Sequence, residues 1–118
     1  MYSIKVEASF SSAHNLRNYK GKCEDLHGHN WRIEVAVENK QLDRAGMVMD
    51  FHDLKFRLKE VLEGLDHKYL NKTPYFKKVN PTSENLAKFI YTRLSDIKGL
   101  KSVTIWENNT SAATYYEK

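Results

Sequence analysis

At 118 residues the chain has room for one domain with a real core and too little for two, so a single domain over residues 1–118 is expected. Hydrophobic residues at 41% and charged residues at 29% exclude a disordered chain. The opening "MYSIKVEASF" is unlike a signal peptide and no apolar run approaches the ~20 residues of a bilayer span, so the expected setting is cytoplasmic, with no membrane partner. A net charge of +4 is compatible with an anionic ligand such as phosphate or nucleic acid, though a mild excess of Lys is more often only a solvated surface; the expected partner is a small molecule and not a nucleic acid.

Taken in chain order, Tyr2, Ile4, Val6, Ala8 and Phe10 alternate with Ser3, Lys5, Glu7 and Ser9, the period of a half-buried strand. A second strand is expected from about His27 to Val37, with Trp31, Ile33, Val35 and Val37 on one face. A helix should begin near Asp50, a suitable N-cap, and bury Phe51, Leu54, Leu58, Val61, Leu62 and Leu65. A second helix follows "NPTSEN", capped by Thr82 or Ser83, and buries Leu86, Phe89, Ile90, Leu94 and Ile97. Two further strands, Ser102–Glu107 and about Ala112–Glu117, are joined by a turn at Asn108 and Asn109. This order predicts an α+β fold: a four-stranded antiparallel sheet with two helices on one face, strand-strand-helix-helix-strand-strand.

The chemistry lies where each strand's alternation runs on into polar residues. The even phase of the first strand passes Phe10 and Ser12 to reach His14. The odd phase of the second, followed backwards from Trp31, gives His29 and His27. If the two strands pair antiparallel, all three histidines meet at one end of one sheet face. Residues two apart on a strand lie roughly 7 Å apart at the backbone, within imidazole reach of one ion. Three neutral imidazoles with a fourth position open suit a catalytic Zn²⁺. Histidines at strand ends also occur simply as local hydrogen-bonding groups, a reading that three in phase make weaker.

Cys23, the lone cysteine, lies in the connection just before His27. It can complete a closed zinc site, or it can stay off the ion as a thiolate base; its spacing is compatible with both. Asp66 directly precedes His67 in "GLDHKYLN", and a carboxylate beside an imidazole can fix its tautomer for acid-base work. A histidine at a helix C-terminus is the plainer alternative. Glu107 continues the phase of Val103 and Ile105, so a carboxylate stands at the rim of the buried face, where it needs a partner with paired donors or an internal salt bridge. Asp50, Thr82, Ser83 and Glu84 sit at helix starts, where capping is sufficient to account for them.

The segments "FSSAHNL", "CEDLHGHNW", "GMVMDFHDLK", "LDHKYLN", "NPTSENLA" and "IWENNTSAATY" together resemble the 6-pyruvoyltetrahydropterin synthase family nearly end to end, and most nearly its 6-carboxytetrahydropterin synthase branch in queuosine biosynthesis. The resemblance implies a tunnelling fold and Zn²⁺ held by His14, His27 and His29. It implies catalytic roles for Cys23, as thiol base, and for the Asp66–His67 pair. It implies a pterin-anchoring Glu107, with Thr82, Ser83 and Glu84 as further substrate-binding candidates. The implied substrate is 7,8-dihydroneopterin triphosphate, converted in the carboxy branch with release of acetaldehyde and triphosphate. Arg17, Lys20, Lys22, Lys68, Lys77 and Lys78 are candidates for the triphosphate, and the implied assembly is a homohexamer, a dimer of trimers. The alternatives are the 6-pyruvoyl reaction, aldolase-like cleavage of the same side chain, and a non-enzymatic zinc module with Cys23 as fourth ligand.

Overall fold

The computed structural model describes residues 1–20 and 24–118. The alternating N-terminal run forms strand β1, Tyr2–His14, and the second forms β2, His27–Asn39. Helix α1 spans Phe51–Glu63, a 3-10 turn covers Leu70–Lys72, and helix α2 spans Ser83–Arg93. Strands β3, Leu100–Asn108, and β4, Ser111–Tyr115, close the chain. The four strands make one antiparallel sheet in the order β1-β2-β3-β4, which is the α+β order that the patterning predicts.

One face of the sheet carries the core. Val6 and Phe10 of β1, Trp31, Ile33, Val35 and Val37 of β2, and Val103 and Ile105 of β3 are buried in one cluster with Leu54, Leu58 and Leu62 of α1 and Leu86 and Ile90 of α2. Each such leucine contributes about 1.5–3 kcal/mol by leaving water, so the helix stripes are what seat the helices on the sheet. Asp50 caps α1 by accepting the N–H of His52 at 2.8 Å, and Thr82 caps α2 by accepting that of Asn85 at 3.1 Å. Both caps fall where the sequence puts them.

The differences lie at element ends. Phe51 is in phase with the α1 stripe yet 55% exposed, because in the first turn it faces Tyr2, Leu42 and Met47 rather than the packed core. Leu94 and Ile97 are buried but follow the last residue of α2, and Phe89 is only half-buried, against Tyr75 and Phe76. The β3–β4 turn sits at Asn109 and Thr110, with β3 running through Asn108, whose side chain accepts the Thr110 N–H at 2.9 Å. Gly99, at φ 86°, admits the chain to β3; a Cβ there would collide with the carbonyl of Glu38, whose N–H donates to the Gly99 carbonyl at 2.9 Å.

Candidate metal centre

Register decides the site. His14 is the cross-strand partner of His27, and Ser12 that of His29, so the extended alternations of β1 and β2 do converge at one sheet end. Trp31, fully buried, forms the floor: its ring meets His14 edge-on at 4.9 Å and His29 at 5.0 Å between centroids, while its indole N–H donates to the Ser12 carbonyl at 3.3 Å. The rings of His14, His27 and His29 stand 4.7–5.2 Å apart, all edge to face.

Hydrogen bonds at the far side of two rings fix which nitrogens face inward. His14 Nδ1 donates to the Pro81 carbonyl at 2.7 Å, and His27 Nδ1 donates to the Asp25 carbonyl at 2.9 Å. A carbonyl accepts only, so each Nδ1 carries its proton and each neutral ring presents its Nε2 lone pair inward. Those two Nε2 atoms are 3.1 Å apart. Two lone pairs at that distance repel unless a proton or a cation lies between them. Among the described residues His29 Nε2 is buried without a hydrogen-bond partner; Glu107 Oε1 is 3.0 Å away but forms no hydrogen bond to it. Burial, reinforced by the neighbouring His14 and His27 against the opposing pull of Glu107, lowers the His29 pKa and favours the neutral ring. Oriented carbonyl partners, inward lone pairs and an orphaned nitrogen are the donor set that a metal ion takes.

Glu107 is the fourth member of this cluster. His14, His27, His29 and Glu107 each offer a ligand atom, all within 4.8 Å of one another, and Glu107 Oε1 is also 3.4 Å from His14 Nε2. It lies two residues beyond the Ile33–Ile105 pair, which brings it level with Trp31 and beside His29. The phase argument that gathers the histidines applies equally to Glu107, and sequence reasoning carried it only as far as the rim of the face.

Asp66 and His67 are elsewhere. The turn after α1 runs along the edge of β1 that faces away from β2: Asp66 Oδ1 accepts the Ser11 N–H at 2.9 Å, His67 N–H donates to the Ser11 carbonyl at 2.6 Å, and Ala13 N–H donates to the Lys68 carbonyl at 3.0 Å. The expected pair does form, with His67 Nδ1 2.9 Å from Asp66 Oδ1. The Ser11 N–H, aided by His67, lowers the Asp66 pKa and keeps it a carboxylate. His67 holds a left-handed backbone, φ 55°, and its side chain is 81% exposed. Ser12, buried and absent from the sequence candidates, donates to the Leu65 carbonyl and accepts the Lys68 N–H, tying this turn to the strand of His14.

Cys23 and Lys22 lie outside the described residues. Thr82 acts as the α2 cap, Ser83 and Glu84 open that helix, and the carbonyl just before them, that of Pro81, is the one that orients His14. Arg17 donates from one guanidinium nitrogen to the carbonyls of Phe76 and Val79 at 2.7 and 2.8 Å, so its charge is committed to the 76–79 segment.

A small antiparallel sheet with two helices on one face is the architecture of the tunnelling-fold class, and at its end stands a cluster of imidazoles and a carboxylate that could hold a metal ion. The family described as 6-pyruvoyl tetrahydropterin synthase matches residues 3–118, and the chain belongs to that family. It is 42% identical to the 6-carboxy-5,6,7,8-tetrahydropterin synthase of Synechocystis, covering 98% of this chain and 94% of that one. It is 40% identical to the dihydroneopterin monophosphate aldolase of Pyrococcus furiosus, over 90% of each chain. Among solved structures, the 6-pyruvoyl tetrahydropterin synthase of Caenorhabditis elegans superposes with a TM-score of 0.87 at 29% identity, covering 99% of this chain and 96% of that one.

Proposed function

We propose that the protein is a zinc-dependent 6-carboxy-5,6,7,8-tetrahydropterin synthase, converting 7,8-dihydroneopterin triphosphate to 6-carboxytetrahydropterin with release of acetaldehyde and triphosphate, in queuosine biosynthesis. The observation that carries this reading is the pair of inward lone pairs on His14 and His27, 3.1 Å apart, in a chain 42% identical to a relative of that name. His14, His27 and His29 would hold Zn²⁺, whose Lewis acidity on the hydroxyls beside the dihydropterin ring makes the adjacent C–H easier to ionise.

The remaining work belongs to the chain's own groups. Cys23, as thiolate, takes the proton from that carbon. His67, held through Nδ1 by Asp66, keeps its Nε2 free to pass a proton to or from the side-chain oxygen. The Glu107 carboxylate accepts from the amino and ring N–H donors of the pterin, and Thr82, Ser83 and Glu84 are proposed to line its pocket. Burial of Trp31 behind the imidazoles keeps water from their rear.

The exposure of His67, on the turn that runs along the outer edge of β1, supports a site shared between subunits, since an acid-base pair facing outward can serve a neighbouring copy. A homohexamer, a dimer of trimers joined through sheet edges, is the proposed assembly, and the cytoplasm the proposed setting; among the described residues no helix is long and apolar enough to cross a membrane. Incubation with 7,8-dihydroneopterin triphosphate tests the reaction. Acetaldehyde and free triphosphate together are expected. Triphosphate without acetaldehyde would assign the 6-pyruvoyl reaction, and a released aldehyde still carrying its phosphate would assign the aldolase reaction, which the 40% identical Pyrococcus relative keeps in view.

A further inference from the structure

We infer, on the reading of Cys23 as the base of the proposed reaction, that Asn71 and Asn80 are its positioning residues: their side-chain amides carry the hydrogen-bond ladder of β1 past His14 and tie down the connection in which the thiol lies. Along the outer edge of β1 the odd-numbered residues are bonded in turn. Ser11 meets Asp66 through its N–H and His67 through its carbonyl, and the Ala13 N–H donates to the Lys68 carbonyl. Strand β1 ends at His14, yet the pattern runs on. The Asn15 N–H donates to Asn71 Oδ1 at 3.0 Å, while Asn71 Nδ2 donates to the Asn15 carbonyl at 2.7 Å. The Arg17 N–H donates to Asn80 Oδ1 at 2.9 Å, while Asn80 Nδ2 donates to the Arg17 carbonyl at 3.1 Å. A primary amide presents a donor beside an acceptor, so each asparagine stands in for a residue of a neighbouring strand.

Between these two pairs, Leu16 turns its backbone the other way, toward the returning chain. Its N–H donates to Glu24 Oε1 at 3.0 Å and its carbonyl accepts the Glu24 N–H at 3.0 Å. Leu16 thereby continues the inner edge on which His14 is paired with His27. Glu24 directly follows Cys23 in the sequence, so the chain rejoins the ladder one residue after the thiol. Residues 18–20, by contrast, are exposed, and Asn18 and Lys20 hold left-handed backbone at φ 58° and 51°. The bonds are gathered where the connection leaves and returns.

Satisfying the backbone does not by itself call for this arrangement. Half-buried N–H and carbonyl groups can bond water, whereas paired bonds from two separate turns also fix direction. Both amides are anchored in their turn. Asn71 is 9% exposed within its 3-10 turn, and the Asn80 carbonyl accepts the Thr82 N–H at 2.8 Å and Asn85 Nδ2 at 2.9 Å at the start of α2. A base that must meet one C–H gains from such a frame, since misplacing a reacting group by about 1 Å costs on the order of 10²-fold in rate.

The chain has one cysteine, so alkylation by iodoacetamide reports on that thiol alone. Its rate is measured against pH for zinc-loaded wild type, Asn71→Ala and Asn80→Ala. Zinc content, urea midpoint, and kcat and KM for 7,8-dihydroneopterin triphosphate are taken on the same preparations. Wild type is expected to give a profile centred below the ordinary thiol value of about 8.5, and both variants a profile moved back toward it. kcat should fall roughly 10–100-fold, with KM nearly unchanged and zinc retained. Should the buried Asn71 prove necessary for folding, the half-buried Asn80 decides by the same measurements. A lower urea midpoint with thiol profile and kcat unmoved overturns the inference and leaves the amides a structural role. Zinc lost in step with kcat overturns it as well, because the effect would then run through the Pro81 carbonyl that orients His14. So does a wild-type profile centred at about 8.5, which would show a thiol that nothing holds. Wild type that releases no acetaldehyde refutes the proposed function, while the alkylation profiles, which need no substrate, still decide whether the amides hold the thiol.

Discussion

The hydroxyl of Ser12 accepts the backbone N–H of Lys68 at 3.1 Å and donates to the carbonyl of Leu65, so one side chain holds both ends of the turn that carries Asp66 and His67. Ser12 is also the cross-strand partner of His29. The strand that supplies an imidazole to the metal cluster therefore also fixes the acid-base pair, and the two candidate parts of the site cannot shift independently.

Ser12→Ala removes that tie without touching the cluster. The buried carbonyl of Leu65 and the half-buried N–H of Lys68 lose a partner, which should cost about 1–3 kcal/mol in urea unfolding. With the turn loosened, kcat should fall on the order of 10–100-fold, as misplacement of a reacting group by an ångström does. Zinc content should stay at wild type. Loss of zinc in step with kcat would mean that Ser12 acts through the imidazoles instead.

Much of this arrangement is legible in the sequence because a strand's period of two is rigid. His14, His27 and His29 can be placed from alternation alone, given an antiparallel pair. Helix caps at Asp50 and Thr82 are equally local, each needing only a short oxygen-bearing side chain before an apolar stripe. What periodicity misses is set by contacts distant in sequence. Phe51 reads as core because it is in phase, but whether a first turn meets the core depends on where the sheet ends. Ser12 reads as a passing polar residue, since its partners at 65 and 68 come from a turn whose path no local rule fixes. Glu107 reads as a rim carboxylate, and only the β2–β3 register brings it beside His29.

His27→Ala and His29→Ala should each lose zinc and remain folded. Both side chains are partly exposed, 38% for His27 and 22% for His29, so neither leaves a large cavity, and Trp31 keeps the core closed beneath them. His14→Ala differs: that ring is buried and bonded to the Pro81 carbonyl, so zinc loss should come with lower stability as well. Metal analysis and thermal melts on the three variants would separate these outcomes. Stoichiometric zinc in His27→Ala would remove it from the ligand set.

Asp66 gives a pH dependence of definite sign. The Ser11 N–H, with His67 beside it, lowers its folded pKa below the ordinary 3.8. A depressed carboxylate contributes stability that is present above its unfolded pKa and lost as pH falls through the folded one. The difference in urea midpoint between wild type and Asp66→Asn should therefore be full from pH 5 upward and shrink below about pH 4. A difference that stays constant from pH 6 to pH 3 would show that the Ser11 bond does not depend on the charge.

Cys23 is the residue on which the chemical reading turns. If its thiolate takes a proton while standing off the metal, Cys23→Ala should abolish turnover yet bind a full equivalent of zinc, because the imidazoles of His14, His27 and His29 remain. If instead the thiol is a ligand, the same variant should lose zinc affinity and, with it, thermal stability. The first outcome is expected, since a metal with all four positions taken by protein has no place for a substrate hydroxyl, and a C–H beside an activated hydroxyl needs a base. Zinc content and turnover measured on one preparation of Cys23→Ala decide between them: a zinc-depleted protein refutes the base and makes the thiol a ligand, and an active one removes Cys23 from the chemistry altogether.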